Sequence, residues 1–181
     1  MELSDVLLKR RSVRKFSAEP VSEENVLELL HAGMSGPSAC NRTPWEFYII
    51  TNPEVLEKLH AVIDPPVGET APCAICVLTR RIIAYRDRCF SVHDYSAAIE
   101  NMLLAITALG YESVWVEGHI TDVDRLGRQM ADILGVPQDM ELVCFLPVGK
   151  AAEKTKPVEK KPEKIQPFKN SQFSPDEFVV I

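Results

Sequence analysis

The chain has 181 residues, 46% apolar and 25% charged, with 20 basic and 26 acidic side chains and a net charge of −6. Such a length and composition describe one packed domain, or one domain with an arm, and exclude a disordered chain. The acidic balance argues against nucleic acid as a partner, and no apolar run approaches the ~20 residues that cross a bilayer, so no membrane partner is expected.

The first residues lack the charged start and apolar stretch of a leader, and a cytoplasmic location is expected. Ser4 is placed to cap a first helix over residues 5–11, with Val6, Leu7 and Leu8 inward. A second helix spans 22–34, with Glu23 and Glu24 at its positive end and Val26, Leu27, Leu29, Leu30 and Met34 as its inner stripe. Gly36 and Pro37 end it. Residues 45–50 read as a strand. Asn52 then caps a third helix that has Pro53 in its first position and reaches about Ile63.

After a Pro-rich loop at 65–68, residues 72–78 form an apolar run that reads as a buried strand. Cys73 and Cys76 lie on it, three apart and so on opposite faces. With five scattered cysteines and no second Cys pair or nearby His, these are expected to be reduced core thiols. Residues 93–109 form the longest helix, apolar over most of its circumference, which makes it central or shared with another subunit. Gly110 stops it. Residues 113–116 are strand-like, Thr121 caps a further helix to about Leu134, and 141–148 form the last core strand. About four strands alternate with about five helices. The expectation is an α+β fold whose sheet is covered by helices. Residues 150–166 are rich in Lys, Glu and Pro and cannot build a core. The arm continues to Phe168, Phe173 and Phe178 and is expected to wrap a partner.

Three segments carry the chemistry. On a continuing helix Arg10 and Arg14 share a face, as do Arg11 and Arg14. Like charges so placed call for an anion such as a phosphate, bound by forked guanidinium donors, with the Ser12 hydroxyl beside them. The alternative is a solvated helix end, where cations suit the negative terminus. No Gly-x-Gly pair and no phosphate-loop pattern occurs, so a phosphate site must use side chains and helix ends. Residues 37–41, with Pro37, Ser38 and Asn41, form a turn. It is either an ordinary Asx turn or a close-approach loop whose Asn41 serves as donor and acceptor. Glu117 and Gly118 end a strand, where an exposed backbone N–H can meet a flat ring or simply close a turn. The four histidines have no metal-binding spacing, and His119 follows Gly118 at the edge of any pocket there. No nucleophile elbow is present.

In order, spacing and type these segments, with the helix at 101–111 between them, resemble the nitroreductase family over residues 8–149. The resemblance implies a central, mostly antiparallel sheet flanked by helices, with a core at 1–149 and a C-terminal arm at 150–181. It implies FMN bound without a covalent link at two sites of a homodimer, and NADH or NADPH as electron donor. A nitroaromatic, quinone or related small molecule would be the acceptor. It assigns Arg10, Arg11, Ser12 and Arg14 to the flavin phosphate and pyrimidine end, and Pro37, Ser38 and Asn41 to a segment supplied across the interface. Glu117 and Gly118 would face the reactive nitrogen. FMN then carries the redox chemistry, with no catalytic side chain and no metal. The family's C-terminal phosphate-binding Arg is missing, and Lys160 and Lys161 are the nearest candidates. The 64–95 region is short where larger members hold a substrate lid. A flavin enzyme of another reaction type, a flavin storage or sensing protein, and an acidic helical interaction module are the competing readings.

Overall fold

The computed structural model describes residues 1–118 and 125–156. His119, Thr121, Lys160, Lys161 and the three arm phenylalanines lie outside the described residues. The sheet order is β1-β2-β7-β5, with β6 also paired to β7. Here β1 is Trp45–Ile50, β2 Cys73–Thr79, β5 Glu112–Ser113, β6 Val116–Glu117 and β7 Glu141–Gly149. Among the described residues every strand pair is antiparallel, and the one parallel link is an isolated bridge between Ser12 and Ser113.

Both central strands are continuous apolar runs because both of their faces are covered. Ala74, Cys76 and Leu78 of β2 face α3 (Pro53–His60) and α5 (Leu126–Leu134), in a core with Leu56, Leu59, Met130 and Phe145. Ile75 and Val77 face α2 (Glu23–Met34) and α4 (Ser91–Ala108), with Leu29, Ile99, Met102 and Ile106. The strand's period of two feeds both cores at once. Cys73 and Cys76 are buried as expected, and burial pushes their thiols up to about 11 and about 12.

Local signals hold at several ends. Ser22 Oγ accepts from Asn25 N–H, and Asn52 accepts from Glu54 N–H at 2.9 Å. Gly110 takes φ 77° after α4, and Tyr111 N–H closes the turn on Ile106 O at 2.9 Å.

Other expectations are corrected. α1 spans Leu3–Lys9, so Ser4 lies inside it and Glu2 stands at its N-cap without a side-chain bond. The helix stops at Arg10, where ψ turns to 125°, because the sheet edge recruits the next residues: Val13 N–H bonds Ser113 O at 2.9 Å. Arg10, Arg11 and Arg14 therefore share no helix face. On α2 the buried stripe is Val26, Leu29 and Gly33, while Leu27 and Met34 are 54% and 62% exposed. The expected strand at 113–116 is split into β5 and β6 in one unbroken register, Ser113 opposite Val148 and Val116 opposite Phe145. Val114 then stands opposite Pro147, which has no N–H for the ladder. A hairpin of β3 (Ile83–Tyr85) and β4 (Arg88–Cys89) was not foreseen.

Candidate active site

Past α1 the chain runs antiparallel to the residues that follow β7. Phe16 bridges Ala151, Ser17 N–H bonds Lys150 O at 2.9 Å and Ala152 N–H bonds Lys15 O at 3.0 Å. The same register carries on to Arg11, whose Nη1 donates to Lys156 O. Between the two segments lies a cleft of about 470 Å³. Arg11, Arg14, Lys15, Lys154 and Lys156 line it beside Ser12, and among the described residues Glu153 is its only acid. Five cations against one carboxylate, in a chain of net charge −6, make this an anion-seeking place. Arg11 Nε is buried there with no hydrogen-bond partner among the described residues. An unmet buried donor costs about 1–3 kcal/mol, which an anionic oxygen at that point removes. The residues present therefore fit a phosphate.

Arg10 points elsewhere. Its Nε lies 3.8 Å from Glu100 Oε1 on α4, with both side chains partly exposed, a surface pair worth about 0–1 kcal/mol.

Arg14 belongs to two spaces. It also lines a slot of about 220 Å³ walled by Val62, Ile63, Val67, Val114, Trp115 and Val116. Its carbonyl accepts from Gly68 N–H at 3.0 Å. Trp115 Nε1 donates to Glu117 Oε2 at 2.9 Å, which fixes both side chains at the end of β6. A cationic cleft joined through one arginine to an apolar slot suits an elongated ligand with an anionic end.

Gly118 does not offer the expected free donor. Its N–H is committed to Val143 O at 2.9 Å, and its carbonyl accepts from Gly127 N–H at 2.8 Å. A Cβ on Gly118 would stand 2.3 Å from Leu142 O. The close approach that glycine permits here is to β7.

The 37–41 turn is shaped by left-handed Cys40 (φ 50°) and Asn41 (φ 53°). Ala39 N–H bonds the buried Asp94 carboxylate at 2.9 Å, and Ser38 Oγ accepts from Thr43 N–H at 2.9 Å. Pro37, Ser38 and Asn41 line neither the cleft nor the slot. Asp94 and Glu100, the α4 anchors of this turn and of Arg10, are separated by about 9 Å of helix rise and face different ways. Within one chain the two predicted flavin segments are not brought together.

Lys15, Lys154 and Lys156 were missed. The signal for the last two was the spacing of Lys154 and Lys156, which puts both on one side of an extended chain, while Lys150 Nζ turns to Gly110 O. Among the described residues no group of three His, Cys, Asp or Glu is arranged to hold a metal, and no helix is long and apolar enough to cross a membrane.

The sequence profile of the Nitroreductase family matches residues 7–64 and 63–150. A protein of Archaeoglobus fulgidus, provisionally named NADH dehydrogenase/NAD(P)H nitroreductase, is 32% identical over 149 residues, 82% of this chain and 84% of its own length. A solved structure from Bacteroides thetaiotaomicron with the same provisional name is 30% identical and superimposes with a TM-score of 0.79, over 91% of this chain and 95% of that one. A nitroreductase from Bacteroides fragilis, solved with bound FMN, shares the fold at 23% identity, with a TM-score of 0.76 over 93% and 99% of the two chains.

Proposed function

The chain belongs to the nitroreductase family, and from that premise we propose that it is a homodimeric, FMN-dependent NAD(P)H oxidoreductase. A hydride from NADH or NADPH reaches a nitroaromatic, quinone or similar electrophilic acceptor by way of FMN, with donor and acceptor reacting in turn. The observation that carries the reading is the five-cation cleft with the orphaned Arg11 Nε.

Arg11, Ser12 and Arg14, with Lys15, Lys154 and Lys156, hold the cofactor's phosphate, and Lys160 and Lys161 follow in the same basic run. Arg10 braces the turn through Glu100. FMN, when bound, supplies the two-electron chemistry. Arg14 sets a fixed positive charge where cleft meets slot, and Val114, Trp115 and Val116 keep water from the slot's inner wall. Glu117 and Gly118 border the ring end, with Gly118 acting through its packing on β7.

Pro37, Ser38 and Asn41 complete the site of the second subunit, which accounts for their separation from the cleft within one chain. Leu3, Leu7, Leu27 and Met34, exposed on α1 and α2, supply apolar surface for that second copy. Residues 1–149 are the flavin-binding core, and 150–181 the arm that reaches the partner.

One experiment tests the reading. The purified protein is expected to scatter light as twice the 20.3 kDa chain and to carry a flavin absorbance band. Without air, NADH or NADPH bleaches that band, and a nitroaromatic or quinone restores it. A band bleached only by dithionite would instead identify a storage or sensing protein.

A further inference from the structure

His60 ends α3 on its inner side. It is 7% exposed, and both ring nitrogens are buried with no hydrogen-bond partner among the described residues. A neutral imidazole carries one donor and one acceptor, and here the ring has only the Val67 backbone close by, with no hydrogen bond of normal geometry to it. The ring stands edge-on to Phe145, centroids 5.4 Å apart at 89°.

The loop at 65–71 closes over it. Gly68 takes φ 79°, and a Cβ there would stand 3.6 Å from His60 Cε1 and 2.7 Å from Pro147 Cβ. The same loop grips the basic segment. Gly68 N–H bonds Arg14 O at 3.0 Å, Thr70 Oγ1 donates to Phe16 O at 2.6 Å, and Phe16 N–H donates back to Thr70 Oγ1 at 3.0 Å.

We propose that His60 is a positioning residue for the anion cleft: as a neutral ring it underpins loop 65–71, and that loop holds the Arg14 backbone in place. The proposal rests on the assignment of Arg14 to the cofactor's phosphate. A charged imidazolium beneath the loop would favour the open form, because in the closed form both ring nitrogens are buried away from water.

The surroundings agree. Burial lowers the His60 pKa from its ordinary 6.5, against an opposing pull from the Val67 carbonyl and Glu69. Glu57 of α3 and Glu69 flank the outer cleft in which His60 lies. β7 contributes Phe145 and, beside Gly68, Pro147. β2 presents Cys76 to this side, a thiol pushed up to about 12 and so neutral. α5, packed on α3, has its Arg128 and Asp132 paired with each other at 2.9 Å on the exposed side. Arg14 and Asp64 lie at the slot bordered by Val67.

The folded value is depressed, so the closed form refuses a proton that the open form accepts. Closure is complete above 6.5 and weakens as pH falls from there toward the lowered value.

The test compares the wild-type chain with His60→Phe from about pH 7.5 to about pH 5, by hydrogen-exchange protection of Phe16, Gly68 and Ala71 and by FMN affinity. In the wild type the protection factors fall by up to about tenfold per pH unit inside the window, and FMN affinity falls with the fraction of closed protein. In His60→Phe the protection factors stay flat, and affinity follows only the phosphate's own ionisation near ~6, which the wild type shares. Superimposable profiles would overturn the proposal. If FMN fails to bind at any pH but wild-type protection alone falls, His60 still positions Arg14 and the phosphate assignment is what fails. Should the phenyl ring not be accommodated, His60→Gln makes the same comparison.

Discussion

Replacing Arg11 and Arg14 together with alanine is expected to leave the purified protein without flavin. Each guanidinium contributes charge-assisted hydrogen bonds to the phosphate, worth about 1.5–3 kcal/mol apiece. That is about 10- to 150-fold in dissociation constant for each single variant. The two residues share one ligand, so their effects need not add. Arg14→Lys keeps the charge but loses the fork, and its affinity falls between wild type and Arg14→Ala. Arg10→Ala is the internal comparison: its partner is Glu100, at 3.8 Å across an exposed pair, so its effect stays within about 1 kcal/mol. Equilibrium titration of each apo-protein with FMN, followed by flavin fluorescence, gives the constants. An Arg10 effect larger than that of Arg14 would mean the phosphate lies at α4 instead of in the cleft.

The largest effect on stability is expected at Gly127. A Cβ there would stand 2.2 Å from Leu142 O and 2.9 Å from Gly118 O. Both atoms are backbone: Leu142 O belongs to β7, and Gly118 follows β6 with its N–H bonded to Val143 O. Neither can rotate away, so α5 itself must lift from the sheet. α5 carries Leu126, Met130 and Ala131 into the core with Leu142 and Phe145. Overpacking usually costs 1–3 kcal/mol, and against fixed backbone Gly127→Ala is expected to exceed about 3 kcal/mol. The melting temperature then falls by about 6–12 °C. Gly135→Ala, with nothing within 4 Å but φ 64°, carries only the backbone penalty of a left-handed residue and loses less. Scanning calorimetry of the two variants orders them, and a Gly127→Ala protein as stable as Gly135→Ala would show that α5 does not seat as described.

What was legible in the sequence was whatever local chemistry decides. The β2 and β7 runs read as buried strands because nothing polar interrupts them. Ser22, Asn52 with Pro53, and Gly110 mark helix ends that the structure keeps. The end of α1 was not legible, because its competitor is Ser113, far away in the chain, whose carbonyl takes Val13 N–H. The β3–β4 hairpin escaped because its turn places Arg86 (φ 47°) and Asp87 (φ 58°) in the left-handed region without the glycine that usually announces such a turn. The site was half legible. Charge and spacing drew attention to residues 10–14, but which arginines face the cleft depends on a pairing with residues 150–156. That pairing also supplies Lys154 and Lys156. Gly118 carried the right signal, a close backbone approach, and the approach turned out to be toward β7.

The central claim is that a phosphate anchors the cofactor between residues 11–15 and 153–156. Apo-protein titrated in parallel with FMN and with riboflavin, which differ only in that phosphate, tests it most directly. Loss of two charge-assisted bonds corresponds to about 3 kcal/mol or more, so FMN is expected to bind at least ~100-fold more tightly, with the gap shrinking as salt is raised. Equal affinities for the two flavins would contradict the claim.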